Sequence, residues 1–159
     1  MRNLNTYIIE KILINKDTNI YSCHPTNKDE LKQILRKRLN NDKNANLNDI
    51  DVSKIIDMGI HPYDGGLFED LDPHNINVSN WNMSNVTNTS GLFYNCTHFN
   101  CDISNWDMHN VKDMHSMFFG CKQFNCNLNK WNVSNVKHKG FMFTNSGLEE
   151  NPPKWYYTI

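Results

Sequence analysis

From Asn77 onward, apolar and polar positions recur with a period of 25 residues. Trp81, Trp106 and Trp131 share one column, as do Val86, Val111 and Val136. Val78, Ile103 and Leu128 form another; Leu92, Met117 and Met142 a fourth; Phe93, Phe118 and Phe143 a fifth. Asn85, Asn110 and Asn135 keep a polar column in the same register. A worn copy precedes these, in which Leu47, Ile50, Val52 and Ile55 take the places of Val78, Trp81, Met83 and Val86. "GGLFED" at 65–70 matches "SGLFYN", and between the two parts of the worn copy lies a turn-rich insertion of about six residues around "GIHPYD". The stub "NPPKWYYTI" places Tyr156 in the Trp column.

A unit this short cannot bury its own apolar face, so units stack and share a core. Residues 84–89 and 109–114 are expected to be short strands that stack in parallel, each followed by a single helical turn at "SGLFYNC" and "HSMFFGC". The fold class expected is an α/β solenoid with a short parallel sheet and an N-terminal helical cap. Its divisions are 1–46 for the cap, 47–148 for four repeats, and 149–159 for a C-terminal cover. In the cap, Leu31, Ile34, Leu35 and Leu39 make one stripe of a helix of about 13 residues. Asn27 is its N-cap and Glu30 the capping-box partner. Tyr7, Ile8, Ile12 and Leu13 suggest a second, shorter helical element.

Composition changes this picture in one respect. Asn supplies 27 of 159 residues, a bias that in other contexts signals a polar disordered tract. The regular apolar set argues against that for 76–146. Asn side chains are expected to cap turns and to pair with the Asn of the next unit. Six N-x-S/T sequons, at Asn77, Asn82, Asn85, Asn88, Asn95 and Asn132, follow from the same repeat.

The net charge of −1 divides unevenly. Residues 1–46 carry nine Lys/Arg against five Asp/Glu, and 47–159 carry seven against twelve. The basic helix, with Lys28, Lys32, Arg36, Lys37 and Arg38, lacks the interleaved aromatics of a nucleic-acid patch. A solvated face is expected, with attraction to the acidic repeats as a further option. No apolar run reaches the length of a signal-peptide core or of a membrane span, so a cytoplasmic protein of a bacterial host, or a virion-associated one, is expected.

The phrase "FNCDISNWDMHNVKDMHSMFFGC", Phe99–Cys121, resembles the BspA-like leucine-rich-repeat family, in the 25-residue version found in mycoplasma and other bacterial surface proteins and in some phages. The resemblance covers about 47–146. It implies leucine-rich-repeat-like coils and a binding or structural module without catalysis.

Candidate chemistry is sparse. Cys96, Cys101, Cys121 and Cys126 spell a zinc-like spacing, but the period alone generates it, and buried free thiols are expected in place of zinc or disulfides. A glycan-binding reading of the Trp column competes with core packing, and Ile50 in the worn copy favours the core. His109, His115 and Asp113 are the group that would revive an enzyme reading if they met in a pocket. No cofactor or metal is implied. If Val86, Val111 and Val136 point inward, strand alternation turns Thr87, Lys112 and Lys137 outward. These three vary between copies and are the candidate contacts for an unidentified protein partner. The alternative is a phage or bacterial structural part that acts by self-association.

Overall fold

A computed structural model describes residues 21–158, apart from 61–65, 69 and 72. The suggested element at Tyr7–Leu13 lies outside the described residues.

The repeat units lie against one another in the expected register, but they do not form an α/β solenoid with a parallel sheet. Among the described residues there is one α-helix, α1 (Lys28–Asn41), and one 3₁₀ turn (Lys154–Tyr157). In place of a sheet there are isolated parallel bridges: Asp57 to Asn88, Asn88 to Asp113, Asp113 to His138, Asn46 to Asn77 and Cys23 to Ile50. The strands expected at 84–89 and 109–114 shrink to one bridging residue per unit, and no leucine-rich-repeat sheet results.

The cause is the Asn and Asp content. Each unit contains Asx turns, in which a side-chain oxygen takes the amide two residues on. Asn77, Asn82 and Asn88 bind the amides of Ser79, Ser84 and Ser90 at 3.1, 3.1 and 2.9 Å. Asp102, Asp107 and Asp113 do the same to Ser104, His109 and His115 at 3.0, 3.2 and 2.8 Å. An amide given to a local side chain is lost to a ladder, so extended backbone is cut before a second bridge can form. Five of the six sequon asparagines have visible structural work of this kind: Asn77, Asn82, Asn88 and Asn132 are Asx-turn residues, and Asn85 binds across units.

The expected helical turns are also absent. Two columns adopt left-handed backbone instead. One is Gly91, Ser116 and Phe141, with φ of 55, 54 and 57°. The other is Asp70, Asn95, Gly120 and Asn145, with φ of 61, 58, 74 and 56°. Left-handed residues at both ends of "GLFYN" and its copies break a right-handed helix.

The core is a vertical aromatic spine. Trp81 and Trp106 stack at 6.3 Å between centroids, and Phe68, Phe93, Phe118 and Phe143 follow one another at 5.2, 5.8 and 5.8 Å. Trp81, Trp106 and Trp131 are 3–5 % exposed, so the column is core and offers no glycan platform. Each indole also reaches across to the preceding unit. Trp81, Trp106 and Trp131 donate Nε1–H to the carbonyls of Leu47, Val78 and Ile103 at 2.9, 3.0 and 3.1 Å. Trp155, and not Tyr156, repeats this bond, to the Leu128 carbonyl at 2.8 Å, and stacks on Trp131 at 6.4 Å. The last interval is therefore one residue short of the period. Tyr156 packs edge-on against Phe143 instead.

The Asn85 column does not pair Asn with Asn. Asn85, Asn110 and Asn135 donate their side-chain amides to the carbonyls of Ser53, Ser84 and His109 in the preceding unit, at 2.8, 2.7 and 2.6 Å.

Helix α1 forms as its pattern predicts. Asn27 Oδ1 accepts from the Glu30 amide at 3.0 Å, and Leu31, Leu35 and Leu39 are fully buried. Glu30 reaches back one residue further than a capping box requires, accepting from the Thr26 amide and hydroxyl at 2.7 and 2.9 Å. Much of the basic face is not solvated. Lys28 Nζ donates to the Gly59 carbonyl at 2.5 Å, Lys32 is buried, and Arg38 pairs with Asp49 at 2.6 Å. Attraction to the repeats accounts for the basic helix, with Arg36 and Lys37 left exposed. No helix among the described residues is long and apolar enough to cross a membrane.

Candidate functional site

The three residues expected to face outward stand in one column. Backbone bonds of 2.8 Å each run from the Thr87 amide to the Ile56 carbonyl, from Lys112 to Thr87, and from Lys137 to Lys112. Lys112 and Lys137 are exposed. Thr87 is half-buried, and its hydroxyl donates to the Ile56 carbonyl at 3.3 Å. Ile56 heads the column with 61 % of its surface exposed, a member that the sequence pattern did not single out.

A second column pairs aromatic side chains of adjacent units. Tyr94 and Phe119 stack at 5.0 Å, and Tyr94 is 40 % exposed. They follow the core phenylalanines Phe93 and Phe118 directly, and that adjacency is the sequence signal by which they were findable. Ile60, Ser90, Gly91, Tyr94, Asp113, His115 and Ser116 line an open cavity of about 490 Å³. A neighbouring one of about 570 Å³ is lined by His115, Lys137, His138, Lys139, Gly140, Tyr156 and Tyr157. Lys139 Nζ donates to the Tyr156 carbonyl at 2.6 Å, and burial there pushes its ammonium below the usual lysine range.

Asp113 and His115 meet in the first cavity, but His109 is absent from its lining. His109 Nδ1 lies 2.7 Å from Asp107 Oδ1, and that hydrogen bond is the main reason the Asp107 carboxyl is held below its ordinary value. The expected trio is not assembled.

The described cysteines are all free thiols. Cys121 donates to the Phe93 carbonyl at 2.9 Å, and burial pushes its thiol up to about 12. Burial also raises Cys126, to about 11, and Cys101. Thiols held this strongly protonated are poor nucleophiles at neutral pH. No group of three His, Cys, Asp or Glu residues suited to a metal ion occurs among the described residues.

What the surface offers is therefore a backbone-fixed column of Ile56, Thr87, Lys112 and Lys137, together with the exposed Tyr94 and further basic side chains. No curated protein and no solved structure matches the chain. The profile described as "Mycoplasma protein of unknown function, DUF285" matches residues 65–157, more than half of the sequence, and the chain belongs to that family.

Proposed function

We propose that this protein is a non-catalytic protein-binding repeat module of bacterial or phage origin, of the BspA-like type. Its recognition face is the column of Thr87, Lys112 and Lys137, extended by Ile56. The observation that carries the reading is the succession of 2.8 Å backbone bonds that holds Ile56, Thr87 and two lysines at equivalent positions. A fixed frame with variable side chains presents a rigid surface that loses little entropy on binding. The stacked pair Tyr94 and Phe119 adds aromatic area of the kind in which interface energy concentrates.

The test is the triple variant Thr87→Glu, Lys112→Glu, Lys137→Glu. A partner captured from native lysate by the wild-type chain should be lost, while the thermal midpoint stays within a few degrees. Retention of that partner by the variant would overturn the assignment.

A second reading, self-association as a phage or bacterial structural component, draws on the exposure of Ile56 at 61 %, Phe141 at 62 % and Tyr157 at 76 %. Light scattering after size exclusion separates the two. A monomer supports the binding module, and a stable homo-oligomer supports assembly.

A further inference from the structure

In each inner unit a row of amides reaches into the next unit. Thr89, Gly91, Phe93 and Asn95 donate to the carbonyls of Asp113, His115, Met117 and Phe119 at 2.9, 2.8, 3.0 and 2.7 Å. Met114, Ser116, Phe118 and Gly120 donate to His138, Gly140, Met142 and Thr144 at 2.7, 2.9, 3.0 and 2.9 Å. The equivalents in the last unit are Lys139, Phe141, Phe143 and Asn145, and their amides have no acceptor among the described residues. Likewise the carbonyls of Thr87 and Lys112 take an amide from the unit that follows, whereas the carbonyl of Lys137 takes none among the described residues.

The two ends of the stack are treated differently. At the N-terminal end, α1 supplies Lys28 to the Gly59 carbonyl, and Cys23 bridges to Ile50. At the C-terminal end the cover is local: Trp155 lies on Trp131, and Tyr156 on Phe143. The cover reaches the Lys139 side chain, whose Nζ binds the Tyr156 carbonyl, but among the described residues it leaves the Lys137 carbonyl and the Lys139 and Phe141 amides unbound. The edge from Lys137 to Phe141 borders the 570 Å³ cavity lined by His115, Lys137, His138, Lys139, Gly140, Tyr156 and Tyr157, a lining with basic side chains and, among the described residues, no carboxylate. Phe141 sits at this edge in left-handed backbone, 62 % exposed, a costly arrangement for a bulky side chain.

We propose that this edge is a second binding site, and that its occupant is an extended, acidic peptide segment of a partner protein that adds in parallel to His138. The segment would donate an amide to the Lys137 carbonyl and accept from the Lys139 amide, the bonds that complete a parallel bridge at every inner unit. The Phe141 amide gives it a further anchor. Its carboxylates would lie among Lys137, His138 and His115, and its apolar side chains against Phe141 and Tyr157. Backbone pairing supplies affinity and the pockets beside it supply selectivity, as in other strand-addition complexes. The site rests on the reading of the chain as a binding module and specifies the chemistry of one partner.

The test uses a synthetic peptide of alternating glutamate and valine, with a lysine–valine peptide as control. Affinity is measured by calorimetry and amide exchange by NMR. The acidic peptide should bind and the basic one should not. Exchange at Lys139 and Phe141 should slow on binding, and His138→Glu, an exposed position, should weaken affinity about tenfold with an unchanged thermal midpoint. Absence of binding, equal binding of both peptides, or binding without protection of those two amides would each overturn the proposal. If Thr87→Glu with Lys112→Glu abolishes binding and His138→Glu does not, the outward column is the site and the edge is not. Concentration-dependent protection of the same amides without peptide would make a second copy the occupant and would also overturn it.

Discussion

The Trp column does two jobs with one side chain. The Val78 carbonyl accepts the main-chain amide of Trp81 at 3.1 Å and the indole of Trp106 at 3.0 Å, so both of its lone pairs are used inside the core. Trp106→Phe keeps an aromatic in the stack but removes the second donor. It should cost about 1–3 kcal/mol, read as a lower urea midpoint, because the carbonyl has no water to turn to. Phe141 presents the opposite case. It holds φ of 57° where its counterpart in an earlier unit is Gly91 at 55°. Phe141→Gly should raise stability by about 1 kcal/mol, since the left-handed penalty for an L-residue disappears and little buried area is lost. A lower thermal midpoint would show that Phe141 packs usefully after all. The Trp and Phe columns were legible because large apolar residues repeat. The indole bonds were not, because they join atoms 27 to 34 residues apart, and sequence patterning carries no record of donor direction.

Helix α1 was legible almost to its ends, because an N-cap, an apolar stripe and a basic residue in the last turn, Arg38, are all local signals. The parallel sheet was not formed, for an equally local reason that a hydrophobic pattern does not register. At the ends of the expected strands 84–89 and 109–114, the side chains of Asn88 and Asp113 capture the amides of Ser90 and His115 that a longer ladder would need. The contact between α1 and the repeats has an acid-sensitive component. The Asp49 carboxyl is held below its ordinary value chiefly by the Ser22 hydroxyl and then by Arg38, and Asp51 chiefly by Ser53. A depressed folded value means that this stability is fully present above the usual aspartate range, near pH 4, and is lost as the pH falls below it through the folded values. Stability measured from pH 7 downward should therefore hold to about pH 4 and then decline. In Arg38→Met the acid decline should be shallower, because Asp49 then has less to lose.

In the molecule as a whole, one stack of units is, among the described residues, covered unequally at its two ends. The C-terminal cover depends on Trp155, which binds the Leu128 carbonyl and shields Trp131. Trp155→Ala should cost about 2–4 kcal/mol and promote association at high concentration, seen by denaturation and light scattering, because it uncovers the end of the aromatic spine. The outward column of Thr87, Lys112 and Lys137 was readable once the inward valines were known. The cavities beside it were not, since they arise where His115 of one unit meets Lys137–Gly140 of the next and the closing tyrosines.

The sequence by itself determined which residues lie above one another: equal spacing makes each unit turn through the same path, so residues one period apart meet. Only the tertiary structure decided that these contacts make single bridges in place of a sheet, and that Trp155 rather than Tyr156 closes the column. It also decided that, among the described residues, the last row of amides is left open. The first of those outcomes depends on competition for backbone hydrogen bonds between a side chain two residues away and a neighbour a full unit away. That competition is settled by distance in space.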